Sequence, residues 1–302
     1  MGVARATSRV SLSWHGGPNG LPSFPLAAVL VSLAALSLYV SWPTIVAVFD
    51  GSYVFDWTNF VEAAKRFGTG TLYDQEPPYA FRWSPVAAWL LGYVTLMPLW
   101  LWQVLHLAAL PFLRSWLLAV AVLVSYPFWF DVQTGNLMTF VAVAGFVAVS
   151  GSRAATALFL VFAVLIPRPL MLPLAVWLLW TGPWTRLPFL AFFAVHAVVV
   201  LALGYAADWV AALTSVQAEL VNDFNFGPSR LIGPLWIPIG LTLAAWLTWR
   251  GRLGLASLAI SPYWLPYYFL MLVLEFAGTG PRSDAGAIST GTNTRSEDSA
   301  AA

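Results

Sequence analysis

Nine stretches of this chain run for a dozen or more residues with almost no charge: 25–49, 85–113, 115–130, 137–150, 155–166, 169–181, 187–205, 231–249 and 253–276. A lipid core about 30 Å thick selects such runs, because a crossing helix needs roughly 20 apolar residues. Only 9% of the 302 residues are charged and 60% are hydrophobic, whereas about a quarter of a soluble domain is charged. There are too few charges to cover a surface in water, but enough to flank spans in lipid. The chain is therefore expected to be an all-α, polytopic transmembrane protein whose first partner is the lipid bilayer. A net charge of +1 provides no basic footprint and argues against nucleic acid as a partner. The absence of cysteine removes disulfides, thiolate metal sites and thiol nucleophiles together. His15, His106 and His196 are scattered and read as packed or interfacial side chains. Many of the 17 tryptophans lie at run ends, where indole forms interfacial belts.

Residues 1–24 carry Arg5 and Arg9 but no cleavable signal pattern, so the run from Pro25 to about Phe49 reads as a retained first span. Several later runs are short or broken by proline, which lipid tolerates only where protein or a water-filled cavity covers the freed backbone. Some nine to eleven membrane-embedded segments are expected within a domain at 25–276, followed by a tail at 277–302 whose composition is that of disordered chain. Two hydrophilic excursions, 50–84 and 206–230, each contain an amphipathic stretch. Trp57, Phe60, Val61, Ala64 and Phe67 recur at helical spacing in the first; Trp209, Val210, Leu213, Val216, Leu220 and Phe224 do so in the second. Helices of this kind lie in the headgroup plane.

Lys and Arg near span ends stay cytoplasmic. Arg5 and Arg9 then put the N-terminus inside and the 50–84 loop outside. If 85–98 ends at Pro98 without crossing, Arg114, Arg153, Arg186, Arg250 and Arg252 all fall inside as well. The remaining polar residues share the outer face, among them Asp50, Asp56, Asp74, Glu76, Arg82, Asp131, Gln133, Asn136, Arg168, Asp208, Glu219, Asp223 and Arg230. Ionisable groups near membrane depth are costly and point to function. Asp74, Glu76 and Asp208 read as ordinary loop charges.

The first excursion opens with Asp56, has Phe60 four residues on and the pair Ala63-Ala64, and closes a glycine turn with Leu72-Tyr73. Trp83-Ser84-Pro85 then starts the next apolar helix. This resembles the first extracytoplasmic loop of glycosyltransferase family 87, polyprenol-phosphate-mannose-dependent mannosyltransferases with the C-type membrane fold. Phe60 stands where members carry Tyr. Gln133-Thr-Gly135-Asn136 is similar to the family's Gly-Gln-x-Asn, Arg168-Pro169 to its Lys-Pro, and Ser261-Pro262-Tyr263-Trp264 to its late Ser-Pro-x-Ser-Trp turn, without the second Ser and the downstream His.

The resemblance implies a C-type glycosyltransferase-like fold. It also implies transfer of a hexose, mannose in the family, from a polyprenyl-phosphate sugar donor to a glycolipid or glycan acceptor, with inversion. Such a reaction needs a base for the acceptor hydroxyl and positive charge for the departing phosphate. Asp56 is the candidate base. Its plainer role would be to cap a helix starting at Trp57. Arg168 is the candidate phosphate clamp, assisted by Arg82 and Arg230, because guanidinium forks match phosphate oxygens. Gln133 and Asn136 are suited to orienting sugar hydroxyls; Trp57, Tyr73, Trp83 and Trp264 are suited to lining the sugar or prenyl groove. No cofactor is indicated, and no carboxylate spacing demands a divalent cation. Motifs for metalloproteases, nucleotide phosphates or a nucleophile elbow do not occur. Two alternatives stand beside this reading. One is a small transporter or lipid flippase, which should pair ionisable groups within its helices. The other is a degenerate transferase, which the departures at 133–136 and 261–264 allow.

Overall fold

The computed structural model describes residues 24–74, 81–214 and 225–278, with only the backbone given for 24–26. Expectations for residues 1–23, for Glu76, for Glu219, Asp223 and the rest of the second amphipathic stretch after Thr214, and for the tail beyond Gly278 lie outside that range. Among the described residues every regular element is a helix. In chain order these are α1 (Phe24–Asp50), α2 (Phe55–Arg66), α3 (Pro85–Val94), α4 (Leu99–Ala109), α5 (Trp116–Leu123), α6 (Tyr126–Thr134), α7 (Met138–Val149) and α8 (Arg153–Leu165). They continue as α9 (Leu172–Thr181), α10 (Pro183–Ala202), α11 (Ala206–Thr214), α12 (Ser229–Ile232), α13 (Trp236–Trp249), α14 (Leu253–Ile260) and a closing 3₁₀ helix, Pro266–Phe276.

Three helical stretches are long and apolar enough to cross a membrane: Ala27–Asp50, Pro183–Ala202 and Ser229–Trp249. There are up to five if two bent pairs each count as one span. Four shorter apolar helices lie between them. Large apolar side chains such as Val31, Tyr39, Leu187, Leu201, Ile237 and Trp249 are exposed on the long helices. Patches of that size are not sustained in water, and lipid is the solvent they fit. The architecture is that of a helical membrane protein.

The core forms around α7, which buries ten of its 12 residues against α8 and the closing 3₁₀ helix. Without a hydrophobic drive between helices in lipid, close packing depends on small side chains. Accordingly α13 meets α14 through Gly240 and Ala244 against Ala256 and Ala259, and a Cβ on Gly240 would collide with the Ala259 carbonyl.

Both bent pairs have local causes. Helices α3 and α4 meet at 104° across the break before Pro98, and α3, at ten residues, is only about 15 Å long, half a hydrocarbon core. Helices α5 and α6 meet at 64°, a break that the 115–130 run does not reveal by composition. Ending α5 frees carbonyls at membrane depth, and each must find a donor. Ser125 Oγ donates to the Val122 carbonyl (2.7 Å), Trp129 Nε1 to that of Leu123 (2.7 Å), and Ser37 Oγ of α1 to that of Val124 (2.8 Å).

Alternation of α7 through α10, then α13, α14 and the 3₁₀ helix, sorts the turns to two ends of the bundle. One end carries Arg153, stacked on Trp184 (5.3 Å), Arg186, donating to the Leu179 and Trp180 carbonyls, and Arg252, paired with Glu275 (3.2 Å). The other end carries α2, the 131–137 turn, the 166–171 turn, α11 and the 261–264 turn, joined by the contacts described below.

Helix α2 lies along α3, with Ala64 Cβ 3.9 Å from where a Cβ on Gly92 would stand. That separation is close to the mean of real disulfides, about 3.8 Å. Because the chain has no cysteine of its own, the double variant Ala64→Cys/Gly92→Cys is a clean reporter. It should oxidise to an intramolecular disulfide in membranes, seen as a reductant-sensitive gel shift after cleavage in the 75–80 segment. Failure to cross-link would mean that α2 does not dock there.

Candidate functional site

The site begins at the turn after α1. Asp50 Oδ1 accepts from the Ser52 amide (2.8 Å), Gly51 and Tyr53 adopt positive φ, and the chain re-enters a helix at Phe55. The cap residue of α2 is Val54, so Asp56 lies inside the first turn and does not cap the helix. Its carboxylate is available for a long-range partner. Asn136 Nδ2 donates to Asp56 Oδ2 at 2.8 Å. The amide cannot be the other way round, because Asn136 Oδ1 accepts from the Leu137 amide at 2.6 Å. Asn136 is fully buried, whereas Asp56 is half-buried at the bundle end.

The turn that presents Asn136 is bound on every side. Gly135 ends α6 at φ +74, and a Cβ there would fall 2.8 Å from Trp57 Cβ, so only glycine lets α2 seat so closely. The Gly135 carbonyl accepts from Trp102 Nε1 (3.0 Å), and the Asn136 carbonyl faces His106 Nε2 (2.9 Å). Asp131, fully buried, accepts from the Thr139 amide (2.7 Å), the Thr139 hydroxyl (2.6 Å) and the Met138 amide (3.3 Å). It therefore caps α7 from seven residues upstream, where the free amides and the helix dipole favour a carboxylate. Trp57 is buried against Trp102, ring centroids 5.8 Å apart. Gln133 is buried at the end of α6.

Arg168 lies between α8 and the 3₁₀ turn Pro169–Met171, close enough to Asp56 for the carboxylate charge to act on it. Its guanidinium stands over three rings, Trp83 (5.6 Å), Tyr267 (5.8 Å) and Tyr268 (5.4 Å), and Nη1 donates to the Tyr268 hydroxyl at 2.9 Å. Among the described residues no carboxylate lies within ion-pair distance of it. Aromatic faces stabilise a cation, and the Asp56 carboxylate acts on it from beyond ion-pair distance.

Trp83 is held beside Arg168 by its neighbours. The Ser84 amide donates to the Leu165 carbonyl (2.9 Å), Ser84 Oγ caps α3 through the Val86 amide (3.1 Å) and also meets His196 Nε2 (2.6 Å). Tyr73 donates its hydroxyl to the Trp83 carbonyl (2.9 Å), and Trp209 Nε1 donates to the Arg82 carbonyl (3.2 Å). Burial, then the neighbouring Tyr205 and Asp208, push the Tyr73 phenol well above its ordinary range, so it acts as a neutral donor. Arg82 is half-buried in this loop.

A third group adjoins through Tyr263, whose ring lies 5.7 Å from that of Tyr268. Here the 225–229 segment straps the late Ser-Pro turn. Asn225 Oδ1 accepts from the amides of Gly227 (2.7 Å) and Trp264 (3.0 Å), the Phe226 amide donates to the Trp264 carbonyl (2.9 Å), and Ser229 donates its hydroxyl to the Pro262 carbonyl. Arg230 is exposed and donates to the Asn225 carbonyl (3.3 Å). Trp264 Nε1 is engaged by the Leu258 carbonyl (2.7 Å).

Asp56, Asn136, Trp57, Trp83 and Arg168 are thus brought together, with Tyr73 behind Trp83. Arg230 and Trp264 belong to the strap. Sequence reasoning missed four residues: Trp102 and His106, which clamp the Asn136 turn, and Tyr267 and Tyr268, which frame Arg168. A Trp and a His four apart on one apolar helix, and two phenols inside an apolar run, were the available signals. Among the described residues no three His, Asp or Glu side chains gather at metal-binding distance. Comparison with models of known protein families, with curated proteins and with solved structures finds no match to this chain. The class of protein is therefore set by the fold alone, as a helical membrane protein with its polar cluster at one end.

Proposed function

We propose that the chain transfers a hexose from a polyprenyl-phosphate sugar to a glycolipid or glycan acceptor, with inversion, at the Asp56–Arg168 end of the bundle. The loop motifs favour mannose as the sugar and a C-type glycosyltransferase fold. The observation that carries the reading is the placement, at one end of an apolar bundle, of an oriented carboxylate within electrostatic reach of a cation stacked on aromatic rings. Asp56 takes the acceptor hydroxyl proton while the acceptor oxygen bonds to the sugar's anomeric carbon. The bond from that carbon to the phosphate oxygen breaks on the opposite face, and the departing polyprenyl phosphate keeps its electrons as an anion beside Arg168. Trp83 and Trp57, both buried, hold Arg168 and the Asn136 turn in place from behind. The cationic turns of the other end, at Arg153, Arg186 and Arg252, suit the cytoplasmic side of a plasma membrane, a topology with a cytoplasmic N-terminus and the site facing out.

The flippase alternative draws support from one observation, the fully buried His106–Asp131 pair, 3.6 Å apart. Both side chains are committed to backbone groups of a turn and a helix end, which suits a fixed scaffold better than an ion path. Purified protein in vesicles, offered a panel of radiolabelled polyprenyl-phosphate sugars and membrane glycolipid extract, separates the two. Label should move from donor to acceptor. Donor that crosses the bilayer with its sugar intact would instead favour the flippase.

A further inference from the structure

The buried groups behind Asp56 form one connected chain that the transfer chemistry does not touch. His106 and Asp131 are both fully buried. His106 Nδ1 lies 2.8 Å from the Trp102 carbonyl one turn back on α4, which fixes the ring plane. Nε2 then faces the Asn136 carbonyl at 2.9 Å. A carbonyl only accepts, so a ring nitrogen that bonds to one does so as an N–H donor, Nε2 to Asn136 as much as Nδ1 to Trp102. The same nitrogen is 3.6 Å from Asp131 Oδ2, and Asp131 is in turn anchored to the first amides of α7. Phe140 closes the far side, 4.6 Å from the imidazole centroid and 5.0 Å from that of Trp102.

Every polar atom of Asn136 is consequently assigned. Its amide N–H goes to the Asp131 carbonyl (3.0 Å), its carbonyl faces His106, Oδ1 accepts from Leu137 and Nδ2 donates to Asp56. A residue with no remaining freedom can fix the direction of the carboxylate it touches. The geometry points to His106, with Asp131 behind it, as a positioning residue that sets the orientation of Asp56 through Asn136. This rests on the reading of Asp56 as the base. It adds that an α4 side chain, remote in sequence and never exposed, controls the rate of the proton transfer without contacting substrate.

His106→Leu removes the N–H while filling the space, and His106→Gln returns an amide nitrogen near the position of Nε2. With His106→Leu, kcat should fall by about 10- to 100-fold, the cost of a misplaced reacting group, while KM for donor stays within about twofold. His106→Gln should recover most of the loss at the same detergent-solubilised melting temperature as His106→Leu, which a general loss of stability would not allow. The Asp56 carboxylate stretch, read as the infrared difference between each protein and its Asp56→Asn counterpart, should shift in His106→Leu and return in His106→Gln. An unshifted band in His106→Leu, or a kcat equal to the parent's, overturns the positioning role. If the parent and Asp56→Asn proteins transfer equally or not at all, the transferase reading fails instead, and the infrared band alone decides whether His106 orients Asp56.

Discussion

Replacing Asp56 with asparagine should abolish transfer and leave the protein folded. Asparagine keeps the size of the side chain and an oxygen that accepts from Asn136 Nδ2, the 2.8 Å bond that orients the group. What it removes is the ability to take a proton. General-base assistance contributes about 10²- to 10⁴-fold, so kcat should fall by that factor with little change in KM for the donor. The helix itself should not notice. Val54, not Asp56, is the cap residue of α2, and Trp57, Phe60 and Ala63 bury its inner face. Initial rates on labelled donor, beside a melting curve of the solubilised protein, check both halves. Normal turnover by Asp56→Asn would remove the assigned base and the mechanism with it. A collapse of the melting curve would show a structural carboxylate.

The parts of this arrangement that were legible in the sequence are those fixed by local chemistry. Apolar runs mark helices because lipid leaves backbone groups no other partner, and the runs near 137–150, 155–166, 169–181 and 231–249 correspond to α7, α8, α9 and α13. The amphipathic period of Trp57 and Phe60 places α2, although the helix starts two residues earlier than the sequence suggested. The break between α5 and α6 escaped notice because the uncharged run continues across it as far as Phe130. Its only local sign is Ser125 followed by Pro127, a cap residue and a first-turn proline. The closing helix is 3₁₀ over 11 residues, where such runs seldom exceed four, and no composition rule announces that.

In the site the division is the same. Asp56 and Arg168 stand out as charges in an apolar chain, but their supports do not. His106 reaches Asn136 across 30 residues and Arg168 reaches Tyr268 across 100. Nothing in a run of apolar residues says which carbonyl a buried histidine will face. Asp131 reads as one more charge on the polar end, yet it caps a helix from an unusual distance, because the tight turn at Gly135 folds α6 back beside the start of α7. The glycine was visible as a motif; the pressure of Trp57 against it was not.

Arg168 allows a test in which function and stability should move in opposite directions. Arg168 is half-buried, and taking a guanidinium partly out of water costs free energy that a carboxylate beyond ion-pair distance restores only in part. Among the described residues the return comes from three ring faces, each worth about 0.5–2 kcal/mol, from the Tyr267 and Tyr268 hydroxyls, and from the Asp56 carboxylate beyond ion-pair distance. An anionic leaving group would supply the remaining countercharge as the phosphate departs. Arg168→Gln should therefore lower kcat by about 10²- to 10³-fold, the usual loss when a donor to a developing oxyanion is removed. Its melting temperature without donor should equal or exceed the parent's. Arg168→Lys keeps the charge but loses the planar fork and the stacking on Trp83, so its rate should fall between the two. Saturating donor should raise the parent's melting temperature and fail to raise that of Arg168→Gln, because a ligand stabilises only the state that binds it. If Arg168→Gln instead melts well below the parent while the surviving folded protein turns over normally, the cation is a strut for Tyr267 and Tyr268 and does not clamp phosphate.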